Sequence, residues 1–197
     1  MNSSGNLFFL SGFEPKDLDS YIKACAPGLP EGLGDCVRSA VMDDSVGLDM
    51  DAWVYVEGES MNGVNVRLLK AQEPSAPRMA IYIPWAASGM DVYLGYGLLN
   101  AISQAHPGLK ITVGDDEGNP AGEEASVDEA ARDAEFLDRL NMFASMLEMP
   151  ESYAMIPTMD GEWKLDIKHY RKVFSGLPVE EKVTRLLYDI VDYIWYR

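Results

Sequence analysis

The sequence is poor in cysteine and histidine, and it has no long apolar run. Two cysteines and two histidines occur among 197 residues, too few for a disulfide framework or a histidine-rich zinc site. No run reaches the roughly 18 apolar residues that suggest a transmembrane helix. The first residues carry no basic stretch ahead of an apolar one, which argues against a signal peptide. These absences predict a cytoplasmic protein without a membrane partner.

Basic residues are also scarce. Lysine and arginine number 16 against 32 acidic residues, so the formal net charge is −16. Nucleic acid is recognised by cations that meet its phosphates, so direct nucleic-acid binding is not expected. A basic protein is the partner that this charge attracts, because long-range charge steers association. Solubility is the plainer explanation of the same excess.

Recognised catalytic and cofactor motifs are missing. No G-x-S-x-G nucleophile elbow occurs. His106 precedes a proline and His169 lies in the basic run KHYRK, each without a partner at a recognised spacing. Gly95 and Gly97 fall inside a helical pattern, whereas a phosphate-binding loop places its glycines between a strand and a helix. The sequence therefore predicts no cofactor, and the two glycines are expected to permit close packing.

The most informative stretch runs from residue 77 to 118 and reads as strand, helix, strand and acidic loop. Ser88 and Asp91 have the spacing of a capping box at the start of the helix. Asp115, Asp116 and Glu117 follow the strand 109–113 directly. Ligands often bind beyond the carboxyl ends of parallel strands, and carboxylates bind hard cations. No second carboxylate cluster completes a ligand set, so no metal site is predicted.

The rest of the chain divides into short strands and amphipathic helices. Helical periodicity predicts helices over 18–25 and 33–41, from a capping box at Ser126 and Glu129 to Pro150, and from Pro178 onward. Alternation predicts strands at 7–10, 53–56, 64–70 and 79–83, with a hairpin at 153–156 and 163–167. Residues 119–126 are expected to form a surface loop. The sum is one α+β domain over 1–197, with an antiparallel or mixed central sheet of about four to six strands and about five helices.

Aromatic residues gather at the end of the chain. Tyr188, Tyr193, Trp195 and Tyr196 lie beside the apolar stripe of the last helix, and Trp85 lies in the loop before the central helix. Tryptophan and tyrosine concentrate binding energy at interfaces, and they also cover the edges of cores. Both interpretations stay open for these residues.

These patterns favour a binding protein over an enzyme. The first hypothesis is an acidic protein-binding module, such as an inhibitor, an immunity-type protein or a nucleic-acid mimic, with a basic protein as partner. Its expected binding residues are Asp115, Asp116, Glu117, Trp85, Tyr193, Trp195 and Tyr196. The second hypothesis is an enzyme for metal-assisted hydrolysis, with Asp115, Asp116 and His106 as weak catalytic candidates. The third is a homodimeric interaction or scaffold module.

Overall fold

A computed structural model describes residues 5–42, 48–70, 73, 75–115 and 119–196, without the side chain of Glu123. The strands are β1 (Asn6–Ser11), β2 (Val37–Val41), β3 (Leu48–Val56), β4 (Val64–Leu69), β5 (Met79–Ile83), β6 (Lys110–Gly114), β7 (Pro120–Glu124), β8 (Tyr153–Thr158) and β9 (Gly161–Asp166). The helices are α1 (Leu18–Cys25), α2 (Gly89–Ala105), α3 (Glu129–Glu148), α4 (Ile167–Val173) and α5 (Val179–Trp195). Short 3-10 turns cover Ala26–Gly28 and Gly34–Cys36.

Seven strands form one sheet in the order β2-β3-β4-β5-β1-β6-β7, and β8 pairs with β9 in a separate hairpin. Every described pairing is antiparallel. The strands before α2 form an antiparallel meander, in which β2 extends the order β3-β4-β5 to the sheet edge. Since β5 and β6 both run antiparallel to β1, they are parallel to each other, and α2 connects them across β1. The chain thus makes a crossover from β5 to β6 through α2, although no two parallel strands are neighbours among those described.

One face of the sheet is apolar and covered by helices. Alternation along the strands sends every second side chain to this face, where a buried row crosses neighbouring strands from Ala52 to Val66, Ile81 and Phe8. Helix α2 packs on this side against β3, β4 and β5. The opposite face carries the intervening residues, including Trp53 and Tyr55 of β3, which are half-buried.

Helix α2 begins and packs as the sequence predicts. Ser88 is its N-cap, and the capping box with Asp91 is complete. A Cβ added to Gly97 would lie 2.7 Å from the Cys25 sulfur, and one added to Gly95 would clash with Ile83. Both glycines thus allow close packing, against α1 and β5 respectively.

A second apolar cluster lies under the C-terminal part of the chain. It joins the later half of α3 to the hairpin, α4 and α5, and Phe143, Ile156, Leu165 and Leu186 are buried in it. The predicted hairpin and last helix are confirmed. Helix α4 was not predicted.

Four features differ from the sequence expectations. The central sheet has seven strands instead of four to six. Residues 33–41 form a 3-10 turn and strand β2 rather than a helix, because pairing with β3 outweighs their helical spacing. The stretch 119–126 contains the edge strand β7 instead of being wholly loop. Helix α3 begins at the N-cap Asp128 rather than Ser126, since the Asp128 side chain accepts from the backbone N–H of Ala131 at 2.8 Å.

Candidate functional site

The loop between β3 and β4 (residues 57–63, the β3–β4 loop) is held by a buried carboxylate. Asp91 has no solvent exposure. It accepts hydrogen bonds from four backbone N–H groups, those of Met61 (3.2 Å), Asn62 (3.0 Å), Gly63 (2.9 Å) and Ser88 (2.9 Å). The same side chain therefore caps α2 and fixes the loop. Gly63 has φ +74°, and a Cβ there would approach the Val54 carbonyl oxygen to 2.6 Å, so the turn requires glycine.

The fixed loop then positions two elements that follow much later in the chain. The Asn62 amide donates to the carbonyl oxygen of Pro157 at 3.0 Å, and the Met159 N–H donates to the Met61 carbonyl at 3.1 Å. Both bonds dock the turn of the β8–β9 hairpin on the loop. The indole N–H of Trp195 donates to the carbonyl oxygen of Ser60 at 2.8 Å, which docks the end of α5.

These contacts enclose a pocket on the sheet face that the helices α1 to α3 leave uncovered. We call it the β2–hairpin pocket. Its volume is about 620 Å³, and its lining comes from β2 and the residue after it, β3, the β3–β4 loop, the hairpin turn and α5. The lining residues are Ala40, Met42, Trp53, Tyr55, Asn62, Thr158, Met159, Asp160 and Trp195. Ligand pockets commonly have this size and combine an apolar, aromatic lining with a few polar groups.

The aromatic wall of the pocket is a continuous surface. The rings of Tyr55 and Trp195 have centroids 5.8 Å apart and are tilted by 32°. Trp53 lies two residues before Tyr55, on the same side of β3, because side chains alternate along a strand. The faces of such rings carry negative electrostatic potential, so a cation placed within about 6 Å of a ring centroid is attracted.

The lining of the pocket carries a negative charge. Among the described residues that line it, Asp160 alone is charged, and it is exposed at the hairpin turn. Arg38 is a cation on the adjoining part of β2. Its guanidinium forms an ion pair with Glu57 at 3.0 Å and donates to the carbonyl oxygens of Asp35 and Val37. The Arg38 guanidinium is thus already paired with groups close to it on the protein.

The predicted aromatic residues have different positions. Trp195 lines the β2–hairpin pocket. Tyr193 packs edge-on against Trp163 at 6.4 Å, and Trp85 packs on Phe143 of the second cluster at 6.4 Å. Tyr196 is 73% exposed. The structure therefore brings Trp195 alone of these residues into the described lining of the pocket.

The predicted acidic site and histidine are not brought together. Asp115 closes the turn between β6 and β7, where its carboxylate accepts from the Asn119 N–H at 2.7 Å. Asp116 and Glu117 lie outside the described residues. His106 lies before the other end of β6, and the five residues of that strand separate it from Asp115 by about 16.5 Å at 3.3 Å per residue.

His106 instead belongs to a packed contact between α1 and α2. Its Nε2 is 2.7 Å from the Tyr21 hydroxyl, and its ring packs on Phe13 at 4.8 Å. The backbone N–H of Lys16 donates to the same hydroxyl at 2.8 Å, and the Tyr21 O–H donates to the imidazole in the tautomer whose Nε2 carries no proton. Burial, together with the charge of Lys16, lowers the pKa of His106 below its usual value.

The described residues contain no cluster of three or more histidine, cysteine, aspartate or glutamate side chains that could hold a metal ion. Within the same part of the chain, no helix is long and apolar enough to cross a membrane.

Sequence reasoning missed Trp53, Tyr55 and Asp160 as site residues. A signal for the first two exists, since they alternate with the buried Val54 and Val56 and must face the other side of the sheet. Asp160 lies in the connection of the predicted hairpin, but its place beside β3 depends on contacts distant in sequence.

Comparisons with protein-family models, with curated proteins and with solved structures found no match.

Proposed function

We propose that this protein binds a basic partner protein, and that the β2–hairpin pocket receives a cationic side chain of that partner. The observation that carries the proposal is the pocket lining. Three aromatic rings, those of Trp53, Tyr55 and Trp195, share it with Asp160, and no lining residue in the described part of the chain is basic.

Each component of the pocket suits a lysine or arginine side chain. The aromatic faces attract the charged group, by roughly 0.5–2 kcal/mol depending on solvent exposure. Asp160 adds a partner of opposite charge, worth about 0.2–1 kcal/mol at an exposed site. Met42 and Met159 offer apolar contacts to the aliphatic stem, which such side chains bury while the charge stays near water.

The whole chain supports the same partner chemistry. The net charge of −16 steers a basic protein toward the surface and keeps acidic molecules away. The pocket then provides the specific site at which a cationic side chain of the attracted protein binds. We therefore expect association to slow as salt concentration rises, while the contacts inside the pocket persist.

We also infer a cytoplasmic location. Cys25 and Cys36 are both free thiols, and reducing compartments keep thiols in that state. Intact-mass measurement of protein isolated without reductant, with both thiols alkylated once the protein is denatured, supports this inference. Recovery of a disulfide-linked form from intact cells would contradict it.

The function is tested with a lysine probe and a neutral probe that keeps the four-carbon side-chain stem. Calorimetry compares N-acetyl-lysine amide with N-acetyl-norleucine amide, which lacks the charge. We expect a roughly millimolar Kd for the lysine probe, about −4 kcal/mol, when the apolar contacts of the stem are added to the cation–π contact and the exposed ion pair. The norleucine probe should bind several-fold more weakly. Equal binding of both probes would contradict the proposal.

A pair of variants with equal charge change locates the binding. Asp160→Asn should weaken the lysine probe about fivefold, because about 1 kcal/mol of ion pairing is lost. Asp138→Asn changes the net charge equally on an exposed position of α3 and should leave the Kd unchanged. If the two variants weaken binding to the same degree, general charge rather than the pocket recognises the cation.

A further inference from the structure

We propose that the partner segment binds as an added antiparallel strand along β2, with its cationic side chain opposite Ala40. This inference rests on the proposed function, because it assumes that the β2–hairpin pocket recognises a cation. It adds the shape of the partner segment, which is extended, and the order of side chains along it.

Strand β2 is an edge strand with unused backbone groups. The Glu57 N–H donates to the Cys36 carbonyl at 2.9 Å, and the Met42 N–H donates to the Asp51 carbonyl at 2.8 Å. In an antiparallel pair, hydrogen-bonded residues alternate with residues whose backbone groups point away. The backbone N–H and C=O groups of residues 36, 38, 40 and 42 therefore face β3. The backbone groups of Ser39 and Val41 point outward, away from the sheet. Within the described residues, no backbone partner meets these outward groups.

The other sheet edge is less suited to pairing. β7 begins with Pro120, which has no N–H, and contains Gly122 with φ +81°. Natural edge strands are commonly protected by proline, charge or irregular backbone. β2 has neither proline nor glycine. Val41 is 62% exposed and Met42 is 50% exposed, so this edge presents apolar surface with regular backbone groups.

The register connects the edge to the pocket. A residue opposite Ala40 would project on the same sheet face, with Cβ atoms about 4.5–5.5 Å apart. Ala40 is small, and Trp53 is its partner on β3. A long side chain can therefore pass over Ala40 toward the Trp53 ring and Asp160. Strand addition of this kind takes affinity from backbone hydrogen bonds and specificity from pockets for alternate side chains.

The neighbouring positions restrict the segment further. The residue two positions after the cation would lie opposite Arg38, and the residue two positions before it opposite Met42. Like charges directly opposite each other are unfavourable, so the first should be neutral or acidic, and the second apolar. The partner segment is thus expected to carry one lysine or arginine in an alternating apolar strand, rather than a continuous basic run.

A second copy of this chain is the competing occupant. Two β2 strands paired about Ser39 would also place Arg38 of one copy opposite Ala40 of the other. Against it, Arg38 is already bound to Glu57 and two carbonyl oxygens, and two chains of charge −16 repel each other.

The test uses a short acetylated and amidated peptide with one central lysine between alternating valine and threonine residues. Its affinity is compared with that of N-acetyl-lysine amide. We expect the peptide to bind at least about tenfold more tightly, because up to four backbone hydrogen bonds form with Ser39 and Val41. Equal affinity would overturn strand addition, yet it would leave the proposed function intact as long as the lysine probe still prefers the pocket.

Methylation of the peptide backbone gives a second measurement that needs no change in the protein. An N-methyl group on either residue adjacent to the lysine blocks a hydrogen bond to β2. It should remove most of the affinity that the peptide gains over N-acetyl-lysine amide. An N-methyl group on the lysine itself points away from β2 and should lose little. Equal losses at both kinds of position would contradict the predicted register.

A protein variant complements the peptides. Ser39→Pro removes an outward N–H without removing a hydrogen bond to β3. The variant should lose the extra affinity for the peptide and keep its affinity for the lysine probe. Sedimentation of the unaltered chain should give one-chain mass, 21.8 kDa. A dimer that Ser39→Pro dissociates would overturn the proposal in favour of a second copy.

Discussion

The indole N–H of Trp195 donates a hydrogen bond to the carbonyl oxygen of Ser60 at 2.8 Å, across 135 residues of sequence. The contact joins the end of α5 to the β3–β4 loop. It also fixes the Trp195 ring beside Tyr55, where the ring forms one wall of the β2–hairpin pocket. One side chain therefore contributes both to the docking of α5 and to the candidate site.

Trp195→Phe should weaken both folding and binding. Phenylalanine keeps an aromatic face but cannot donate to Ser60, so the free energy of unfolding should fall by about 1 kcal/mol. The smaller ring is also a poorer cation–π partner, and its position is no longer fixed. We expect the affinity for N-acetyl-lysine amide to fall several-fold, measured by calorimetry.

Trp163→Phe is the matched control. Trp163 packs on Tyr193 and does not line the pocket. This variant should retain the affinity for the lysine probe even if its stability falls. If both tryptophan variants lose the same affinity, the effect reports general destabilisation and not the pocket.

Asp91→Asn should destabilise the protein strongly. The carboxylate accepts from four backbone N–H groups at full burial, and an amide presents donors to some of them. We expect a loss of about 3 kcal/mol, since unsatisfied buried groups carry the full desolvation cost. Urea unfolding measures it. Asp128→Asn, at the exposed N-cap of α3, should cost only a few tenths of a kcal/mol because asparagine caps equally well.

Local signals in the sequence were sufficient to place many elements, as the capping box shows. Ser88 and Asp91 mark the start of α2 through contacts three residues apart, which a sequence pattern can record. The helix predicted for residues 33–41 was wrong for the opposite reason. Their apolar positions match a helix, but their state is decided by pairing with β3, and short apolar runs are ambiguous between the two.

The candidate site was largely beyond sequence reasoning. Trp195 was expected to bind a partner, but nothing local connects it with Asp160 or Trp53. The three meet because Asp91 fixes the β3–β4 loop, and the loop in turn receives the hairpin and α5. Such a chain of contacts depends on tertiary packing, whereas composition alone was sufficient to propose a basic partner.

Protonation of His106 should destabilise the fold. Its pKa is lowered in the folded state by burial, with a contribution from Lys16, so the unfolded chain binds the proton more tightly. Stability from neutral His106 is present above the ordinary histidine pKa of about 6.5 and is lost as pH falls below it. The difference in unfolding free energy between the unaltered chain and His106→Gln should therefore shrink between pH 7.5 and pH 5.5.

His169→Gln serves as the control for that measurement. His169 is exposed at the start of α4, without the buried contacts that surround His106. Its substitution removes a histidine without touching the Tyr21 contact, so it separates the effect of that contact from the effect of removing any histidine. A His106 difference that stays constant or grows at low pH would contradict the described contact with Tyr21.

The two cysteines should react at different rates. Burial raises the pKa of the Cys25 thiol to about 11, and the thiolate is the reactive form. Cys36 is only partly buried. Iodoacetamide at pH 8 should label Cys36 first, and Cys25 only after unfolding, as peptide mass spectrometry can follow. Faster labelling of Cys25 would show that α2 does not cover it as described.

The central claim, that the β2–hairpin pocket binds a cationic side chain, is tested most directly by the indole N–H resonances of the four tryptophans. During titration with N-acetyl-lysine amide, we predict that the resonances of Trp53 and Trp195 move with a common Kd. Those of Trp85 and Trp163 should remain in place. Unchanged Trp53 and Trp195 resonances at millimolar probe, or equal shifts at all four indoles, would contradict the account.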